Sequence, residues 1–141
     1  MNPKGNGRVP GSPDEWLSHA KSDLRLASLA AGDELVRREQ VCFHAQQAAE
    51  KAIKAVLLSR EIEFPLTHDI EELLEIAESN GIKLPEDIRE AGLLTPYAVE
   101  SRYPGYAFEI TEADLKEALQ AAEHSVEWAE TELKKPQGAD S

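Results

Sequence analysis

The sequence predicts an all-α protein, an up-and-down bundle of four long helices plus one shorter helix. Three observations carry that prediction. Apolar residues recur at intervals of three and four through most of the chain. No segment alternates polar and apolar residues for long enough to argue a strand. The periodic stretches are punctuated by strong start and stop residues, which sets four connections between five helices.

Residues 1–11 are rich in Gly, Pro and Asn without periodicity and are expected to be a disordered tail. Ser12-Pro13-Asp14-Glu15 then starts the first helix, with Ser12 as N-cap, Pro13 at the first helical position and Glu15 able to close a capping box. Trp16, Leu17, Ala20, Leu24, Ala27 and Ala31 lie along one stripe of it, and Gly32 is placed to end it. The second helix is expected over roughly 34–60. Val41, Ala45, Ala48, Ala49, Ala52, Ile53, Val56 and Leu57 give it a wide apolar face. Phe64-Pro65-Leu66 breaks that pattern. Thr67 is expected to cap a third helix, cored by Ile70, Leu73, Leu74 and Ala77 and ended by Asn80-Gly81. Leu84-Pro85-Glu86 starts a fourth through Ile88, Ala91, Leu94 and Ala98, which Pro96 kinks or divides. Arg102-Tyr103-Pro104-Gly105 reads as a turn. Thr111 caps a last long helix, whose face of Leu115, Ala118, Leu119, Ala122, Val126, Ala129 and Leu133 runs to about residue 133; residues 134–141 form a fraying tail.

The chain of 141 residues has the size of one domain, so residues 12–133 are read as a single bundle. No run of about 18 apolar residues supports a membrane span. The N-terminal dozen lacks the apolar stretch of a signal peptide. A lone cysteine, Cys42, has no disulfide partner in the chain, which points to a reducing cytoplasm. The net charge is −12, and the two tails are basic, which leaves −15 on residues 14–133. Such a field repels nucleic-acid phosphates and argues against RNA as a partner. The second helix is the local exception, with five basic residues against three acidic ones over 34–60, so an anionic ligand belongs there if anywhere.

Two groups of side chains stand out chemically. His44, Gln47, Lys51 and Lys54 fall at increments of three and four and share one stripe beside the alanine seam of Ala45, Ala48, Ala49, Ala52 and Ala55. They suit a phosphate or nucleotide; equally, they suit a polar flank against a neighbouring helix, and Glu50 with Lys54 suits a simple i,i+4 pair. The second group is Arg102, Tyr103 and Tyr106, in which an arginine beside tyrosines can stack on a base and pair with a phosphate, or clamp the turn to a carboxylate. His68-Asp69 reads either as a base with its orienting carboxylate or as a capping turn. The four histidines form no H-x-x-x-H pair and there is no C-x-x-C, so no metal is expected. There is no phosphate-binding glycine loop and no nucleophile elbow, and no cofactor is expected.

The stretch Cys42–Leu57 (CFHAQQAAEKAIKAVL), followed by Thr67-His68-Asp69-Ile70 with Leu73-Leu74 and then by Ser101-Arg102-Tyr103-Pro104, resembles the HEPN domain, named for higher eukaryotes and prokaryotes nucleotide-binding. The resemblance covers about residues 14–133. It implies a helical bundle, commonly a homodimer, often encoded beside a minimal nucleotidyltransferase with which it forms a prokaryotic toxin–antitoxin pair. Some members are metal-independent ribonucleases marked by a late arginine followed, after four to six residues, by histidine. The late arginine here is Arg102, and the positions where the histidine would fall hold Ala107, Phe108 and Glu109. Arg37 and Arg38 have the required spacing to His44, but in the second helix rather than late in the chain. The resemblance therefore points to a non-catalytic dimeric module that binds a nucleotidyltransferase, with a nucleotide as a further ligand. The alternative is a metal-independent ribonuclease toxin with a divergent site around Arg102. Dimerisation is expected from the resemblance and from the small apolar positions of the second and last helices.

Overall fold

The computed structural model describes residues 11–98 and 109–136. Its elements run α1 (Pro13–Ala30), α2 (Arg38–Ser59), α3 (Ile70–Ser79), α4 (Glu86–Arg89) continuing into a 3₁₀ helix (Glu90–Ala98), and α5 (Glu112–Lys134). The described residues contain five α-helices and no strand. The disordered tails and the turn at Arg102–Gly105 expected from the sequence lie wholly or largely outside the described residues.

The helix starts have local causes. Ser12 and Thr111 each accept from the backbone N–H three residues on, while Glu15 and Asp114 accept from the cap backbone in return, so α1 and α5 both begin in complete capping boxes. The cap of α3 is Asp69 rather than Thr67: Asp69 accepts from the Glu72 N–H, and Thr67 instead accepts from the Asp69 N–H. An aspartate at this position also places charge on the positive end of the helix dipole.

Helix α2 begins four residues later than its periodicity suggests. The Asp33 carboxylate accepts from the Leu35 N–H and the Asp33 carbonyl from the Val36 N–H. That local turn competes with the helix for the same backbone donors. The far end of α2 stops well before Pro65. Glu61 sits at φ +59°, the Glu61 N–H donates to the Leu58 carbonyl and the Ile62 N–H to the Leu57 carbonyl, which together form a Schellman ending. Helix α3 ends in the same motif with Gly81 at φ +89°. Beyond α4, the chain tightens into a 3₁₀ helix that accommodates Pro96, whose nitrogen has no hydrogen to donate.

The core is organised around α2, which packs against α1, α3, α5 and the 3₁₀ helix. Thirteen of its 22 residues are buried, so it is the central strut rather than an outer helix with one apolar face. Ala45, Ala48, Ala49, Ala52 and Ala55 are fully buried within the chain itself. The alanine seam is thus filled by the chain's own helices and leaves no small-residue surface on α2 for a second copy. Ala20 and Ala27 on α1 and Ala118, Ala122 and Ala129 on α5 let the backbones of these helices approach it closely.

Candidate functional site

The polar stripe of α2 runs along the seam with α1, and carboxylates of the fold meet it. Asp23 accepts a hydrogen bond from Lys51 Nζ at 2.7 Å and lies 3.1 Å from His44 Nδ1. Two functional side chains seven residues apart on α2 are therefore bridged by one carboxylate of α1. The His44 ring also stands edge-on to Phe43, with centroids 5.3 Å apart.

One turn further, Gln46, Glu50 and Lys54 form a second, deeper cluster. Lys54 Nζ donates to Glu50 at 2.8 Å, and the two side chains are only 7% and 4% exposed. This is a buried ion pair, not the surface i,i+4 pair that its spacing suggests. Gln46, fully buried, donates to Glu50 at 2.8 Å and accepts from Gln47 at 2.7 Å. His68 closes the group, with Nδ1 3.0 Å from Glu50. The rings of Trp16 and Phe64 lie 5.7 and 5.8 Å from the Lys54 ammonium and supply cation–π contacts. Burial raises the Glu50 pKa, but hydrogen bonds from Lys54 and Gln46, the Lys54 charge and the His68 contact outweigh it and hold the carboxyl below its ordinary range. Glu50 is therefore an anion whose lone pairs are committed to three neighbours.

His68 takes Glu50 as its partner rather than the adjacent Asp69, which caps α3. The catalytic His68–Asp69 pair is not formed. Arg38 and His44, which match the arginine–histidine spacing, diverge: Arg38 donates to the Ile110 carbonyl at 2.8 Å, while His44 faces Asp23 on α1. Cys42 is buried, and burial, helped by the charges of Asp114 and Glu39, pushes its thiol up to about 12. It is protonated at neutral pH and is not a nucleophile. Among the described residues no three His, Cys, Asp or Glu side chains are grouped to hold a metal ion.

Beside Lys51, a hollow of about 430 Å³ is bounded by Gly11, Glu15, Trp16 and His19. It brings an ammonium, an imidazole and an indole to one mouth at the start of α1. Of the residues singled out in the sequence, His44, Gln47, Lys51 and Lys54 thus share the α1–α2 seam, whereas Arg102, Tyr103 and Tyr106 lie outside the described residues. Sequence reasoning missed Asp23, which organises the shallower half of the site, and the depth of Glu50. The signal for Asp23 is present in the sequence. It falls three residues after Ala20 and four before Ala27, a charged residue on the buried stripe of an amphipathic helix.

The model of the HEPN domain family matches residues 13–132. Among solved structures, TT1696 from Thermus thermophilus is similar with 32% identity and a TM-score of 0.74, over 86% of this chain and 98% of its own. ST0689, described as an archaeal HEPN homologue, is similar with 30% identity and a TM-score of 0.71, over 89% of this chain and 100% of its own. No curated protein matches. Among the described residues no helix is long and apolar enough to cross a membrane.

Proposed function

The chain belongs to the HEPN domain family, and from that premise we propose that it is a non-catalytic, dimeric module that binds a minimal nucleotidyltransferase as one half of a toxin–antitoxin pair, with a nucleotide as a further ligand. The observation that carries this reading is the internal pairing of the α2 stripe. Lys51 and His44 meet Asp23, Lys54 meets Glu50, and Gln47 meets Gln46. A general base needs a lone pair aimed at a substrate proton, and a phosphate clamp needs unneutralised cations. Here the cations are matched by carboxylates of the fold, which suits a scaffold better than a reaction centre.

Protein partnership is further supported by Leu26 and Leu29 near the end of α1 and by Leu35 just beyond it, all exposed and close in sequence. Support for a nucleotide is confined to the hollow at Trp16, His19 and Lys51, whose ammonium is already paired with Asp23 and whose lining includes the Glu15 carboxylate, so the nucleotide is the weaker part of this reading.

The test is co-expression with each minimal nucleotidyltransferase encoded in the source genome, followed by size-exclusion chromatography with light scattering and by incubation of the purified chain with tRNA and mRNA in chelator. Co-elution of one such enzyme with a dimer of the 15.6 kDa chain, and intact RNA, are expected. Metal-free RNA cleavage that disappears in Arg102→Ala would replace this reading with the ribonuclease one. A monomer mass at micromolar concentration would remove the dimer.

A further inference from the structure

A second concavity lies between the 3₁₀ helix and α5. Its volume is about 110 Å³, well short of the ~300 Å³ at which small-molecule sites begin, and suited to a single side chain. Leu94, Ala118 and Ala121 form an apolar floor, with Tyr97 as one wall. The Tyr97 hydroxyl is already engaged with the Cys42 thiol, which ties this wall to the core. Around the mouth stand Glu90, Glu117 and Asp114. Asp114 is fixed in place by the Thr111 N–H, which donates to it at 3.0 Å.

The surroundings carry the same sign. Over the described residues 86–98 and 109–127 there are nine carboxylates against two lysine or arginine side chains, Lys116 and Arg89, of which Arg89 is paired with Glu78; His124, which also lines the groove, lies 3.6 Å from Asp87. Exposed Leu93 lies at the lip. A bare metal ion needs converging ligands at close range, and none are grouped among the described residues. A cation carried on an apolar stem matches both the floor and the rim, because lysine and arginine bury their methylenes while keeping the charge at the edge.

We propose that this groove receives a lysine or arginine side chain from a basic amphipathic helix of a partner protein, with Leu93 meeting an apolar residue one turn away on the same helix. The proposal rests on reading the chain as a partner-binding module, and it assigns that module an acidic docking face distinct from the α1–α2 seam. Charge complementarity of this kind speeds encounter and rejects anionic competitors.

The full chain is titrated into a fluorescein-labelled basic amphipathic peptide, long enough at about 18 residues to be helical when bound, with leucines at i, i+3, i+4 and i+7 and arginines flanking them. A peptide with glutamine for each arginine serves as the control. Glu90→Gln/Glu117→Gln is compared with Glu63→Gln/Glu75→Gln, which removes the same charge from exposed positions elsewhere. The groove variant is expected to weaken binding at least about 10-fold and the control variant less than about twofold. Backbone amide shifts on peptide addition should concentrate in Glu90–Ala98 and in the first half of α5. Equal weakening by both variants, no weakening by either, or shifts centred elsewhere overturns the proposal. These readouts concern the groove alone, whereas co-elution of a nucleotidyltransferase tests the module reading, so the two fail separately.

Discussion

At the scale of single residues, the decisive group is Glu50 with Lys54. In the sequence the pair has the spacing of an ordinary surface ion pair, worth a few tenths of a kcal/mol. Its burial follows from what covers it: Trp16 from the start of α1, Phe64 from the connection after α2, and the edge of His68. None of these is near in sequence, so the depth of the pair was not legible from α2 alone. Asp23 was hidden for the same reason, since it lies 21 and 28 residues from the side chains it joins. Removing one member of a buried pair leaves the other charge without compensation, at a cost of about 3–5 kcal/mol. Glu50→Ala should therefore lower unfolding stability in urea by about 3 kcal/mol, at the low end because two aromatic rings still face the ammonium. Glu50→Gln/Lys54→Met should recover most of that loss, and a double variant as unstable as Glu50→Ala would show that the pair is not what the site depends on. The pH dependence has a definite sign. The folded carboxyl titrates below its ordinary 4.5, so its contribution is fully present above that value and is lost as pH falls through the folded pKa. Stability of the native chain should drop more steeply below pH 4.5 than that of Glu50→Gln, and parallel curves would contradict the assignment.

At the scale of elements, bounds were legible where the residues that make them are adjacent in sequence, and the start of α2, four residues late, was the largest miss. Capping boxes are written in adjacent residues, and Ser12…Glu15 and Thr111…Asp114 form as the sequence suggests. The end of α3 was equally plain, because Asn80-Gly81 supplies a residue at ease with positive φ. The end of α2 was also close, expected near residue 60 and found at Ser59, but the residue that makes it was not legible, because the same Schellman geometry is formed there by Glu61 rather than by a glycine or asparagine. Glutamate in the left-handed region carries a steric cost of about 1 kcal/mol that glycine avoids. Glu61→Gly should thus raise stability by about 0.5–1 kcal/mol even though it removes an exposed side chain, while Gly81→Ala should lower it by about 1 kcal/mol. Thermal unfolding of the two variants beside the native chain checks both signs, and a destabilised Glu61→Gly would mean that the carboxylate makes a compensating contact.

At the scale of the whole molecule, the sum of charge could be read from the sequence but its layout could not. The bundle concentrates carboxylates along α4, the 3₁₀ helix and α5, and it pairs Lys51 and Lys54 of α2 internally with Asp23 and Glu50, while Arg38 donates to the Ile110 carbonyl. The one segment that looked able to attract an anion is thereby muted, and on α5 the pairs of Lys21 with Glu130 and of Arg60 and Lys135 with Glu132 leave the carboxylates of its first half as the main source of negative field. Nucleic-acid affinity is dominated by phosphate neutralisation and the release of counterions, and even non-specific binders reach dissociation constants of only about 1–100 μM at physiological salt. A labelled single-stranded RNA titrated with this chain should accordingly show no saturation below about 100 μM at such salt, and lowering the salt should not rescue binding as it would for a basic protein. The same field should leave the basic amphipathic peptide bound, because its cations complement the groove that repels phosphate. Saturable micromolar RNA binding that strengthens steeply at low salt would overturn this account of the electrostatics. It would also return the ribonuclease reading to the foreground, since it would require the phosphate-binding cations that the α1–α2 seam has paired away.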